Sequence, residues 1–192
     1  MSKFLIVLCV LCFFAASSTQ AKKASLAEIS RYLDQHKVLT AKFAQISYDG
    51  SRADGKIFLK RPGRLRFEYQ DPNNLVVLVA EKRITIFDYK SNSQPTSYPV
   101  SNSPLSLLLD DEIDLTKNSM VLDHSYDGSL TRVTLNNPEH QEFGQITLMF
   151  EQDPLRLSQW QVTNQVGEQI LVLLNDLKSV SYTHLRAHET SG

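Results

Sequence analysis

Arg61 is the residue whose setting asks for the most chemistry. Ile57 and Leu59 precede it at alternate positions in Lys56-Ile57-Phe58-Leu59-Lys60-Arg61, so on a strand all three share one face. If that face is apolar, a guanidinium lies among hydrocarbon side chains. It then needs several hydrogen-bond acceptors, because an unpaired buried charge costs several kcal/mol. Natural acceptors are the open carbonyls at the end of a short leucine-rich helix, Leu105 to Leu109. The plainer alternative is a turn-flanking surface arginine beside Pro62.

The other reactive residue types do not converge. His36, His124 and His140 are scattered and polar-flanked, which reads as surface histidine. His184 and His188 stand four apart, a spacing that on a helix can set two imidazoles on a metal, but no further ligands accompany them. No nucleophile elbow and no phosphate-cradling glycine loop occurs. The expectation is therefore a binding protein, not an enzyme, with no catalytic residues, no metal site and no cofactor.

The start of the chain explains the two cysteines. Lys3 precedes an apolar run from Phe4 to Ala16, and Thr19-Gln20-Ala21 then leads into Lys22-Lys23. This charged, apolar and small-residue order is that of a secretory signal, and the run falls short of the roughly 20 apolar residues of a membrane span. Cleavage after Ala21 would remove Cys9 and Cys12 and leave no thiol. Leu8 and Leu11 stand before the cysteines where a lipid-modification site would need a small residue, so the product is expected free rather than anchored. Without Lys3 the 20 Lys+Arg become 19 against 21 Asp+Glu, a formal charge of −2. Such a balance argues against nucleic acid as partner.

The elements that must position Arg61 are mostly strands. Ser25-Leu26-Ala27-Glu28 is a capping box, and Leu26, Ile29, Tyr32 and Leu33 follow at helical spacing, which predicts one amphipathic helix over 25–36. From Ala41 the period is two. Leu65, Phe67 and Tyr69 alternate with Arg64, Arg66 and Glu68; Ile146, Leu148 and Phe150 alternate with Gln145, Thr147 and Glu151. Ile84 and Ile86 flank Thr85, Leu155 to Gln165 carries Trp160 and Val162, and Gln169 to Asn175 reads as the last apolar strand. Turn signals include Asp49-Gly50, Asp54-Gly55, Pro62-Gly63, Asp127-Gly128 and Val166-Gly167. The fold class expected is mainly β (α+β), a curled antiparallel sheet or incomplete β-barrel, with the N-terminal helix and a short lid helix started by Ser103-Pro104. After Val180 the alternation stops, and residues 181–192 read as an anomalous tail foreign to the fold.

Several stretches together resemble the outer-membrane lipoprotein carrier (LolA-like) family, and closely its alphaproteobacterial branch. They are Phe43-Ala44-Gln45, the run Gly55 to Tyr69 with Lys60-Arg61-Pro62-Gly63-Arg64-Leu65-Arg66-Phe67 as its most specific part, and Ile84 to Asp88. Pro104 to Leu109 and Trp160-Gln161-Val162-Thr163 complete the set. The resemblance divides the chain into a signal peptide, 1–21, a carrier domain, 22–180, and the tail, 181–192. It implies a monomeric periplasmic carrier of triacylated lipoproteins. Such a carrier is loaded by an ABC-type lipoprotein-releasing complex in the inner membrane and delivers to an outer-membrane acceptor or to the outer membrane itself. It further implies that Arg61 latches a lid made of Pro104, Leu105, Leu107, Leu108 and Leu109. Ile57, Leu59, Leu65, Phe67, Tyr69, Phe87, Met149 and Trp160 are the candidates for lining an acyl-chain cavity. The alternatives are an envelope lipid- or lipoprotein-sensing module of the same fold, and a general lipid carrier.

Overall fold

The computed structural model describes residues 22–91, 93–117 and 119–180; the expected signal segment and the tail lie outside the described residues. Helix α1 (Leu26–Gln35) begins as its capping box dictates. The Glu28 amide donates to Ser25 Oγ at 3.2 Å, and the Ser25 amide donates to the Glu28 carboxylate at 2.7 Å. Its apolar face, Ile29 and Leu33, is fully buried.

Six strands then run as a meander: β1 (Val38–Ile46), β2 (Arg52–Lys60), β3 (Arg64–Tyr69), β4 (Leu75–Ala80), β5 (Arg83–Asp88) and β6 (Thr96–Pro99). A crossing segment carries two short 3-10 helices, Val100–Asn102 and Pro104–Leu108. A second meander follows, with β7 (Val121–Tyr126), β8 (Leu130–Asn136), β9 (Gln145–Glu151), β10 (Arg156–Thr163) and β11 (Gln169–Val180). All neighbouring strands are antiparallel, in the spatial order β6-β5-β4-β3-β2-β1-β11-β10-β9-β8-β7.

The two meanders meet where β1 pairs with β11, with Phe43 opposite Leu174 and Gln45 opposite Val172. The free edges are β6 and β7, and the crossing segment runs from one to the other. Inward-facing residues of both meanders belong to one buried cluster, among them Phe43, Ile57, Leu65, Ile84, Leu148 and Trp160. The sheet is thus curled around a common core and left open, an incomplete barrel whose uncovered side is closed by α1 and the crossing segment.

Two expectations change. Asp54-Gly55 is no turn but lies inside β2, where the Phe43 ring packs directly over Gly55: an added Cβ would stand 2.7 Å from that ring. The glycine admits an aromatic side chain rather than a bend. The last strand runs on past Asn175 to Val180, through an irregularity where the β1 register shifts between Thr40 and Lys42 and Asp176 takes a positive φ of 52°. The bulge breaks the period of two without ending the strand.

Candidate functional site

Strand parity carries Arg61 to the inner face. Ile57 and Leu59 are 0% and 2% exposed, and Arg61, one residue beyond the end of β2, is 3% exposed. Its amide donates to Lys37 O at 2.8 Å, which fixes the backbone at the start of β1. The chain then turns through Gly63, whose φ of 69° suits glycine, and the Gly63 amide donates to Leu109 O at 2.9 Å.

The guanidinium finds its acceptors on both covering elements. Nη2 donates to Leu33 O in the last turn of α1, and Nη1 donates to Asp110 O, just past the lid helix, at 3.3 Å. The Asp34 carboxylate lies 3.9 Å from Nη1. Burial pushes the guanidinium's pKa down, and Asp34, Asp111 and Asp110 oppose that shift. The same burial raises the Asp110 carboxyl, against the pull of Arg61. One side chain therefore ties the end of α1, the lid and the mouth of the sheet together. The lid carbonyls were legible as acceptors in the sequence; Leu33 O was not. Leu33 O also accepts from the His36 amide that caps the helix, at 3.2 Å, so nothing local marks it as the acceptor of a distant arginine.

The lid is a short 3-10 helix started by Ser103 Oγ, which accepts from the Leu105 amide at 3.3 Å, with Pro104 at the first position. Pro104, Leu107, Leu108 and Leu109 are buried, and Leu105 is half-buried against the same core. Beyond it, the chain is clasped to α1: Leu115 N donates to Ser30 Oγ at 2.8 Å and Ile113 N to Asp34 Oδ1 at 3.4 Å. Lys37 pairs with Asp111 at 2.7 Å. A cleft of ≈ 460 Å³ opens beside the lid, lined by Pro62, Gly63, Lys82, Val100, Leu107 and Asp110.

Of the lining candidates, Ile57, Leu59, Leu65, Phe67 and Trp160 come together in the buried cluster with the lid leucines. Tyr69 is half-buried against it and donates to Gln45 Oε1 at 2.7 Å; burial pushes its phenol up to about 12. Phe43, which the sequence did not single out for lining, is the centre of an aromatic group. It packs edge-on to Phe67 and Tyr69 at 5.2 and 5.1 Å, and Phe67 meets Trp160 at 6.3 Å.

Two candidates are not brought into this group. Met149 alternates with Leu148 and Phe150 and lies on the outer face, buried between strands and apart from the inner cluster. Phe87 alternates with Ile84 and Ile86 and also faces out, stacking on Tyr89 at 6.5 Å. Among the described residues no group of three or more His, Cys, Asp or Glu is placed to hold a metal ion. His36, His124 and His140 stay apart: His36 bonds Tyr32 O at 2.7 Å and His140 bonds Glu142 at 3.3 Å within their own segments, and His124 bonds Ala24 O at 2.9 Å, tying β7 to the segment before α1. His184 and His188 lie outside the described residues.

Residues 34–184 match the family model described as outer membrane lipoprotein carrier protein LolA. An outer-membrane lipoprotein carrier protein of Coxiella burnetii is 25% identical over 186 residues, covering 92% of this chain and 87% of its own. One of Pseudomonas entomophila is 24% identical over 174 residues, covering 85% and 82%. A solved LolA superfamily protein from Nitrosomonas europaea aligns at a TM-score of 0.43 and 12% identity, over 84% of this chain and 95% of its own. The match to the family model spans well over half of the sequence, and the chain belongs to the outer membrane lipoprotein carrier protein LolA family.

Proposed function

We propose that the protein is a periplasmic carrier that takes the acyl chains of triacylated lipoproteins into its curled sheet and passes them to the outer membrane. In this reading it acts after residues 1–21 are removed on export. An ABC-type complex in the inner membrane loads it, and an outer-membrane acceptor or the outer membrane itself relieves it of cargo. It is a binding protein and performs no covalent step. The observation that carries the reading is Arg61: a guanidinium buried in an apolar container, held by backbone carbonyls of the two elements that cover it.

The energetics favour such a latch. Burial of one methylene contributes about 0.8 kcal/mol, so one acyl chain of roughly 16 carbons contributes on the order of 12 kcal/mol when fully dried. A container gripping that tightly would not release its cargo. A lid that is favourable when closed subtracts from that gain, because opening it breaks the Arg61 bonds and uncovers Leu107, Leu108 and Leu109. The lining of the open form would come from Ile57, Leu59, Leu65, Phe67, Tyr69 and Trp160.

Mass spectrometry of material extracted from the protein purified from the periplasm tests the cargo class. The proposal expects acylated peptide. Phospholipid alone would turn the reading into general lipid carriage, and protein that neither retains nor takes up acylated peptide would overturn it.

A further inference from the structure

The side of β2–β4 that faces away from the container is built unlike an ordinary solvated sheet face. Strand β4, Leu-Val-Val-Leu-Val-Ala, directs Val77 and Val79 into the core, yet Val76 and Leu78 on its other side are apolar too. An antiparallel sheet with one wet face carries polar residues there. Phe58, 40% exposed, stands in the same cross-strand row as Arg66 and Leu78, and Phe87 is opposite Val76. A shallow groove of ≈ 270 Å³ runs over this area, bordered by Phe58, Leu78, Lys60 and Arg64.

Cations ring the apolar centre. Lys56 and Lys60 flank Phe58 on the same face of β2, and Lys60 is opposite Arg64. Arg66 and Lys42 are matched by Glu68 at 2.6 Å and Asp176 at 2.7 Å. Lys56, Lys60 and Arg64 have no carboxylate within 4.0 Å among the described residues. This charge is local, since the whole chain carries a formal −1.

We propose that this outer face docks the protein on an anionic phospholipid bilayer. The centre supplies apolar and aromatic groups for the interfacial layer, and the lysine and arginine stems carry their charges outward to the phosphates. An acidic protein would satisfy the charges as well, but protein interfaces are depleted in lysine, and lysine supplies two of the three unpaired cations here. The patch lies on the opposite side of β2 from Ile57, Leu59 and Arg61, so docking leaves the lid and its cleft free. The inference goes beyond the cargo reading and does not depend on it.

Vesicle flotation tests it, with the chain as purified from cells expressing the complete sequence. One set of vesicles holds phosphatidylglycerol and phosphatidylethanolamine, the other phosphatidylcholine alone. The protein should float with the anionic set, weakly or not at all with the neutral set, and lose binding as salt rises. Each unpaired cation near an anionic bilayer contributes roughly a fivefold factor in affinity, so Lys56→Glu/Lys60→Glu/Arg64→Glu should weaken binding at least about a hundredfold. Phe58→Ser should weaken it several-fold and leave the salt dependence unchanged. Should the charge-reversed variant fail to fold, the three glutamine substitutions serve, with a smaller expected loss.

Equal binding to both vesicle sets, or undiminished binding by the folded triple variant, would overturn the proposal. Impaired transfer by a variant that still binds vesicles normally would overturn it in favour of a protein partner. Acylated-peptide uptake by the same variants should be unchanged. Failure of uptake in the unsubstituted protein would strike the cargo reading and leave the vesicle result standing.

Discussion

The two ends of β2 are closed in different ways. At its start, aromatic rings fill the container: Phe43 lies over Gly55, packs edge-on to Phe67 and Tyr69, and the Tyr69 hydroxyl reaches Gln45. At its finish, closure depends on one guanidinium and on two amides of the crossing segment that donate to the Ser30 hydroxyl and the Asp34 carboxylate of α1. Aromatic packing is dense and cannot be dismantled without opening a cavity. Hydrogen bonds exchange for water at a modest net cost, about 1 kcal/mol for a neutral pair and about 1.5–3 kcal/mol where one partner is charged. The difference sets a densely packed end against a hydrogen-bonded one, and in the proposed reading the second is the end that opens. The hydrogen-bonded end is also where the crossing segment joins the free edges β6 and β7, so its release would leave the sheet itself paired.

Substitutions at the two ends should separate these roles. The largest loss of stability is expected for Phe43→Ala, about 3–5 kcal/mol, from the cavity left in a fully buried aromatic group. Urea unfolding measures it, and a loss below about 1 kcal/mol would show that this end is loosely packed. Gly55→Ala should cost about 1–3 kcal/mol because the new methyl meets both the Phe43 ring and Glu68 O.

Tyr69→Phe should cost about 1 kcal/mol by removing the bond to Gln45. It also has a pH signature. The phenol is raised from 10 to about 12 in the folded protein, so its contribution is whole below pH 10 and is lost as pH rises toward 12. The variant should lose stability less steeply over that window, and an unchanged slope would mean that burial does not hold the hydroxyl protonated. The smallest effect on stability is expected for Arg61→Leu, since replacing a buried charge by hydrocarbon is often neutral.

Much of this contrast is legible in the residues. The capping box fixes the start of α1, parity sets Arg61 inward, and the Pro104 to Leu109 run presents apolar residues that need a surface to cover. What escapes is what depends on the other side of a contact. Asp54-Gly55 has turn composition, and only the Phe43 ring explains it as strand. Strand β4 shows no alternation because both of its faces are apolar. Phe87 and Met149 have lining chemistry, but the register of their own strands turns them outward. Leu33 O as a partner of Arg61 required knowing where α1 lies, which no local pattern reports.

The central claim is that the Arg61 end opens to take cargo and closes to expel it. A two-step transfer assay with Arg61→Leu tests it most directly, measuring uptake of lipoprotein from inner-membrane vesicles and then delivery to outer-membrane vesicles. The apolar inner face is untouched by the substitution, so uptake should stay near that of the unsubstituted protein. Delivery should fall steeply, because the closing lid no longer helps to displace the chains, and Arg61→Lys should restore it only in part, since one ammonium cannot reach both carbonyls as the planar fork does. Normal delivery by Arg61→Leu would contradict the account and leave Arg61 as a structural tie between α1 and the lid.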